Sequence, residues 1–538
     1  MKVQCLPFSE IPHTTRLFSD FLNQSPAVRQ FYRRSPRFSD WFQDEASQVP
    51  HDRQRHQQVA DVLERQNRNW GAPNATLANL ARLRAGANAV VTGQQVGLFG
   101  GPVFSIYKAL TAIKLAREAT SAGIESVPVF WLATEDHDLA EINHIEIPGP
   151  DYIPTRIETP TRGLPDAPVG SIAFGAEIET VVAQAVELLG PSEATDVLSD
   201  CYRPGETFGS AFARLFTRLF AEHGVILLDA SDPELHRIAE PLYRAAIERA
   251  RDLDAALLAR GKELESAGYH QQVKVTGSST LLFTFRDGAR VPIHLRANGG
   301  GQDFVIGEER IPEAELLRRI SAAPHHFSAN VLLRPVVQDY LLPTLSYAGG
   351  AAEVAYFAQA AVVYEALLGR TTPIVPRFSA TIIEQKVEAL LERYRLRLND
   401  LFHGPEKLRE LLATHALPGD LQVAFDRAEG SIEKSVREIE GVLSRLDITL
   451  VDAAKRAGSK MHYQLNRLRS RAARAELMKS EILARHAALL SNALYPGKTL
   501  QEREIAGLYF IARYGRGLLD QLFETIHTAC LDHQIISL

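Results

Sequence analysis

"VVTGQQVGLFGGPVFSIYK", residues 90–108, carries an apolar run into two adjacent glutamines, then four glycines within nine residues, a proline and a helical pattern. The β-rich residues 88–91 predict a strand. Beyond the loop, Phe104, Tyr107, Leu110, Ile113 and Leu115 or Ala116 are spaced for a helix with one buried face, stopped at Gly123. "SVPVFWLATEDHD" (126–138) is a continuous apolar strand, of the kind buried on both faces of a parallel sheet. Strand, loop, helix and strand together make one βαβ unit.

The pattern returns at "HGVILLDAS" (223–231), "LLPTLSYAGG" (341–350) and "TTPIVPRFSAT" (371–381). Residues 144–175 are proline-rich and alternate weakly, which predicts a hairpin excursion. "VKVTGSSTLLFTFRDGARVPIHL" (273–295) predicts an antiparallel insert turning at Arg286-Asp287-Gly288. The expected fold is α/β: a Rossmann-like parallel sheet core with two insertions, plus a long α-helical coiled-coil domain. Residues 1–85 form a helical segment associated with the core, with Trp41 and Trp70 as packing anchors. The first half of the core spans 86–143, the first insertion 144–222, a core strand and helix 223–267, the second, antiparallel insertion 268–330, and the second half of the core 331–378. Residues 379–495 form the coiled-coil domain and 496–538 a C-terminal segment.

Between Pro418 and Pro496 the chain has no proline. Leu421, Phe425, Ala428, Ile432, Ile439, Val442 and Leu446 make an irregular a/d-like stripe, which Leu465, Leu468, Ala472 and Ala475 resume. Ile383, Val387, Leu390, Tyr394 and Leu401 form a second stripe upstream. Such stripes mean long packed helices, either an intramolecular hairpin or a dimer interface, and a homodimer is the expectation carried forward.

The bulk numbers set the class. A chain of 538 residues exceeds one ordinary core, and 45% apolar with 23% charged residues suits a soluble globular protein. A formal charge of −6 gives no general attraction to nucleic acid or to an anionic membrane. Cys5, Cys201 and Cys530 are far apart, without metal spacing; they suit a reducing cytosol and predict no disulfide framework. The first residues lack the apolar segment of a signal peptide, so a cytoplasmic protein is expected.

Loops at the carboxyl ends of parallel strands line the ligand crevice. Gly97, Gly100 and Gly101 let backbone approach a ligand, Pro102 suits a first helical position, and the free N–H groups behind it favour phosphate or carboxylate. Gln94 and Gln95 add uncharged donors and acceptors. At the next strand end, His137 is a candidate general base, while Glu135, Asp136 or Asp138 would orient an ammonium or Mg²⁺. His144 is near in sequence, but no zinc spacing accompanies it. "SYAGGAAEVAYFAQ" (346–359) repeats the strand, glycine, helix design: Gly349 and Gly350 form the turn, and Tyr347, Glu353 and Tyr356 would read a polar substrate, with a capping role as the alternative for Glu353. Arg377 would pair a ligand anion or a core acid, and Ser379 would cap the next helix. No Walker A or GxGxxG spacing is present.

These four motifs, in this order, together with "LYPGKTLQER" (494–503), resemble the BshC family, cysteine ligases of bacillithiol biosynthesis, over essentially the whole chain. The resemblance implies addition of L-cysteine to glucosaminyl-malate, and a core related to class I nucleotidylyl transferases with a coiled-coil domain. The HIGH and KMSKS sequences of class I adenylating enzymes do not occur. Amide formation from a free carboxylate needs activation, for which ATP is expected, with Mg²⁺ as a candidate companion; no zinc is expected. The catalytic candidates are His137, Asp136 and Asp138. The alternatives are a nucleotidylyltransferase-like enzyme acting on another small acid, and a non-catalytic coiled-coil interaction protein.

Overall fold

The computed structural model describes residues 2–298, 301–415, 419–477 and 481–538. Along the chain come β1 (Lys2–Leu6), β2 (Asn88–Gln94), β3 (Ser126–Leu132), the hairpin β4 (His144–Pro148) and β5 (Pro154–Glu158), and β6 (Ile226–Asp229). Then follow β7 (Ser279–Arg286), β8 (Ala289–Asn298), β9 (Gly301–Ile306), β10 (Glu309–Pro312), β11 (Phe327–Ala329), β12 (Thr344–Gly349), β13 (Ile374–Pro376), β14 (Ala380–Ile383) and β15 (His533–Ser537).

The central sheet runs β13-β12-β2-β3-β6, with every neighbouring pair parallel. Burial on both faces explains why these strands read as continuous apolar runs. Chain order departs from β2 in two directions, toward β3 and β6 and then toward β12 and β13. The topological switch point therefore lies between β2 and β12, where ligands bind in open α/β sheets.

The helix after β2, Phe104–Ser121, is buried on nearly every side over its first three turns, not on one face as its spacing suggested. The sheet covers one side. Ala112, Leu115, Ala116 and Ala119 meet Phe38 and Trp41 from the N-terminal segment, and the remaining side packs on the C-terminal helices. Apolar periodicity could not reveal that second cover, because it comes from both ends of the chain. Trp41 is buried as expected, and Trp70 is half-buried.

The antiparallel insert forms a sheet ordered β10-β9-β8-β7-β11. Asp287 and Gly288 take φ values of 52° and 80°, the two left-handed residues that a tight hairpin requires. A third sheet, β1-β15-β14, joins the two ends of the chain and was not expected; residues 1–85 are thus not wholly helical. Its register places Cys5 opposite Gln534, and Cys5 and Cys530 are joined by a disulfide. This corrects the expectation of no disulfide: pairing across 525 residues of sequence has no local signal. Cys201 is a buried free thiol, pushed by burial up to about 11.

Helices Gly419–Leu446 and Thr449–Leu477 pack as a hairpin. Phe425, Ala428, Ile432, Val436 and Leu443 form its partly buried seam, and Gly458 lets the second helix approach Val436 closely. Ile439, Val442, Leu446 and Leu468, assigned to one stripe with Phe425, instead stay exposed on other faces. The upstream stripe belongs to short elements, because Arg395 turns left-handed and ends the helix Gln385–Tyr394. Pro418 lies outside the described residues. Among the described residues one helix, Ala351–Leu368, is long and apolar enough to cross a membrane, and it packs into the large core.

Candidate active site

At the carboxyl ends of β2, β3 and β12, across the switch point, lies a cavity of about 420 Å³. Its wall includes Gln94, Gln95, Glu135, Asp136, Tyr347, Gly350, Glu353, Tyr356 and Arg377, nine of the expected residues.

The chemistry centres on a buried ion pair. Lys108 enters one turn into the helix after β2, where its Nζ donates to Gly93 O at 2.6 Å and Gln94 Oε1 at 2.9 Å, and stands 2.7 Å from Glu353 Oε2. Glu353 also accepts from Tyr347 OH at 2.5 Å and from the Gly350 N–H at 2.7 Å. Burial alone would raise the Glu353 carboxyl, but the Lys108 charge and these donors outweigh it and hold the carboxyl below its usual range. Burial likewise pulls the Lys108 ammonium below its ordinary value, despite Glu353. Glu353 is thus both the helix cap and a cavity-wall carboxylate.

The lining also carries further carboxylates and arginines. Gln95 Nε2 donates to Asp136 Oδ2 at 2.7 Å and to Glu141 Oε2 at 2.9 Å, holding two carboxylates apart with one neutral amide. Arg290 and Arg334 come from distant parts of the chain. Arg290 Nη2 donates to Ala329 O at 2.6 Å, and Arg334 Nη2 donates to Tyr356 OH at 3.2 Å. Arg377 meets a core acid, as one of its two readings had it: its guanidinium forks onto Glu502 at 2.7 and 3.2 Å. Arg503, next to Glu502, faces the cavity and makes no side-chain hydrogen bond or ion pair among the described residues. Burial and the Arg377 charge pull its pKa below the ordinary arginine value.

Other expected residues fall elsewhere. Gly97, Gly100 and Gly101 do not line the cavity. Gly97, Gly100 and Gly101 N–H groups bond within the loop, and Val103 N–H donates to Ile505 O at 2.9 Å. A Cβ on Gly100 would stand 3.3 Å from Leu215 and 3.4 Å from Phe216, so Gly100 admits the Phe208–Leu219 helix rather than a ligand. The next helix starts at Phe104, not Pro102. Asp138 caps the helix Leu139–Ile142, accepting from Glu141 N–H. His137 stands beside the cavity, with Nδ1 3.5 Å from Arg290 Nη1. His144 begins β4 and is not in the wall. Gly349 ends β12, where any Cβ would meet Glu353 Cβ at 2.9 Å.

Ser379 is not a helix cap. It is buried ahead of β14, donates to Glu502 Oε2 at 2.9 Å and lies 2.7 Å from His533 Nδ1. The β-branched residues Thr381, Ile382 and Ile383 favour the strand found there. Sequence reasoning missed Lys108, Arg290, Arg334 and Arg503. For Lys108 the available signal was that it is the one charged residue in the stretch 104–113; for Arg503 it was its place in the 494–503 motif.

A parallel sheet with a charged cavity at its switch point, followed by a helical hairpin, defines a Rossmann-like enzyme carrying a coiled-coil domain. The family model of the BshC N-terminal Rossmann-like domain matches residues 1–378, and that of the BshC C-terminal coiled-coil domain matches 380–538, both described under bacillithiol biosynthesis. The chain belongs to the BshC family. A relative from Koribacter versatilis is 50% identical over 532 residues, 99% of each chain. One from Solibacter usitatus is 36% identical over the whole of both chains, and one from Salinibacter ruber 33% identical over 97% of this chain and 96% of its own. Each bears the name "Putative cysteine ligase BshC".

Proposed function

We propose that the protein is a ligase that joins L-cysteine to glucosaminyl-malate through an amide bond, forming bacillithiol. The family and the names of its relatives support the reaction class. The observation that carries the reading is the mixed charge of the cavity lining: the carboxylates Glu135, Asp136 and Glu141 together with the cations Arg334 and the unpaired Arg503. Both substrates carry an ammonium, and glucosaminyl-malate adds two carboxylates. The carboxylates orient the ammonium groups, and Arg334 takes the malate.

ATP is the proposed activator; its chemistry would turn a carboxylate oxygen into a leaving group. Arg503 would hold its phosphates, since the N–H groups of residues 97–103 are largely engaged. Mg²⁺ would accompany those phosphates; among the described residues no three His, Cys, Asp or Glu side chains converge as a metal site. Asp136 orients a cationic group, and His137 acts from the cavity edge.

The test incubates purified protein with ATP, L-cysteine and glucosaminyl-malate and follows the ligated thiol by mass. Its formation, dependent on all three, supports the reading; its absence overturns it.

Assembly as a homodimer forms a second part of the proposal, resting on the exposed Ile439, Val442, Leu446 and Leu468. Ile439→Glu with Val442→Glu should convert dimer to monomer in sedimentation without lowering the melting temperature. A monomeric parent removes this part.

A further inference from the structure

Beside the cavity, three side chains stand in file. Glu135 borders both the cavity and a small void shared with Trp131, His236, Tyr243 and Arg334. Its Oε1 lies 3.2 Å from His236 Nε2, within ion-pair reach but off the line of a hydrogen bond, and is otherwise unpartnered among the described residues. His236 Nδ1 is 3.1 Å from Tyr243 OH. His236 and Tyr243 are each 2% exposed and lie two turns apart on one face of the helix Pro233–Glu248.

The order of donors follows from chemistry. Burial holds the Tyr243 phenol well above its usual pKa, so it keeps its proton and donates to Nδ1. With Nδ1 accepting from Tyr243, the ring hydrogen sits on Nε2, the nitrogen nearest Glu135. A second-layer histidine with a fixed tautomer orients the carboxylate in front of it. Glu135 lines the cavity and its Oε2 makes no hydrogen bond among the described residues, so that oxygen is the acceptor where an ammonium would be held.

We propose that Glu135 is the catalytic carboxylate that takes a proton from the substrate ammonium, and that His236, held by Tyr243, is the residue that positions it. The inference rests on the ligase reading. In the step, an N–H bond of the ammonium breaks, the proton adds to a Glu135 oxygen, and the electron pair stays on nitrogen. The products are a neutral amine, now nucleophilic, and a neutral carboxylic acid. Asp136 beside it, Asp229 at the end of β6, Arg290, Arg334 and, beyond His236, His325 complete the charged surroundings. His137 lies outside the cavity wall.

Three variants and two readouts test this. Glu135→Gln should lower kcat by ~10²-fold or more, the scale of a lost acid–base group. His236→Leu should lower kcat about tenfold and move the acid limb of the kcat–pH profile, as expected for a positioning partner. His236→Gln, with an amide N–H in reach of the same carboxylate, should recover most of that rate. A Glu135→Gln enzyme within about threefold of the parent, the margin below any acid–base role, overturns the proposal. So does a His236→Leu enzyme with the parent's rate and profile. The second readout is calorimetric binding of D-glucosamine, which should weaken about tenfold in Glu135→Gln through loss of a charged hydrogen bond. Equal affinity overturns the inference even for a parent that ligates nothing, an outcome that by itself strikes only the ligase reading.

Discussion

β2 runs into glycines 93, 97, 100 and 101 ahead of a helix, and β12 runs into Gly349 and Gly350 ahead of another. From sequence the two turns look alike. The structure closes the first: the Phe208–Leu219 helix leans on Gly100, and residues 505–507 pair with 101–103. It leaves the second open, caps its helix with Glu353 and sets Lys108, from the helix after β2, against that cap. Glycine signals close approach. Which body approaches, a helix or a ligand, depends on chain segments more than a hundred residues away.

The largest effect that would break this contrast comes from the ion pair. Lys108→Met leaves Glu353 buried without its counter-charge and should cost about 3–5 kcal/mol in denaturant unfolding. Adding Glu353→Gln should recover much of that stability without restoring turnover. A Lys108→Met protein as stable as the parent would show that the second turn needs no charge partner.

Acid should strike the second turn's support next. His533, fully buried between Ser379 and Thr381, titrates at about 4 because burial penalises its charged form, against 6.5 in the unfolded chain. Between those values the unfolded state binds more protons, so stability is full above pH 6.5 and falls as the pH drops toward 4. The loss should approach about 3 kcal/mol for this residue, and His533→Gln should flatten that part of the melting-temperature profile. Profiles that superimpose would remove His533 from the account.

A matched pair of alanines gives the smallest effect. Gly100→Ala places a Cβ at φ 88° against Leu215 and Phe216 and should cost about 1–3 kcal/mol while leaving ligand affinity unchanged. Gly350→Ala meets only ordinary contacts, 3.5 Å from Arg377 Nε and 3.6 Å from Glu353 Oε2, so stability should hold within about 0.5 kcal/mol. The methyl does, however, narrow the cavity and should weaken substrate binding. The reverse pattern, measured by melting and calorimetry, would restore the first loop as a ligand cradle.

Gln94, Gln95, Asp136, Tyr347, Glu353 and Tyr356 were legible as site candidates because they lie in the last residues of, or just after, strands whose burial on both faces is written in local composition. Lys108, Arg334 and Arg503 were not, since each becomes meaningful only beside a residue remote in sequence. The Glu135–His236–Tyr243 file is the same case: 101 positions separate 135 from 236. The helical hairpin was half legible. Its length could be read, but exposed Ile439 and Val442 share the apolar pattern of seam residues, so composition could not tell which face the second helix would cover.

By itself, the sequence determined the parallel sheet, the antiparallel insert and the long helices, because apolar period and turn residues act within a few positions of one another. Its motifs also carried the family resemblance. Tertiary structure alone decided that β1 and β15 join the chain ends, that Cys5 meets Cys530, that the first glycine loop is closed, and that Lys108 is paired with Glu353. The reason is physical: a buried charge or a strand edge is stable only with its partner, and local sequence cannot show which distant segment supplies it.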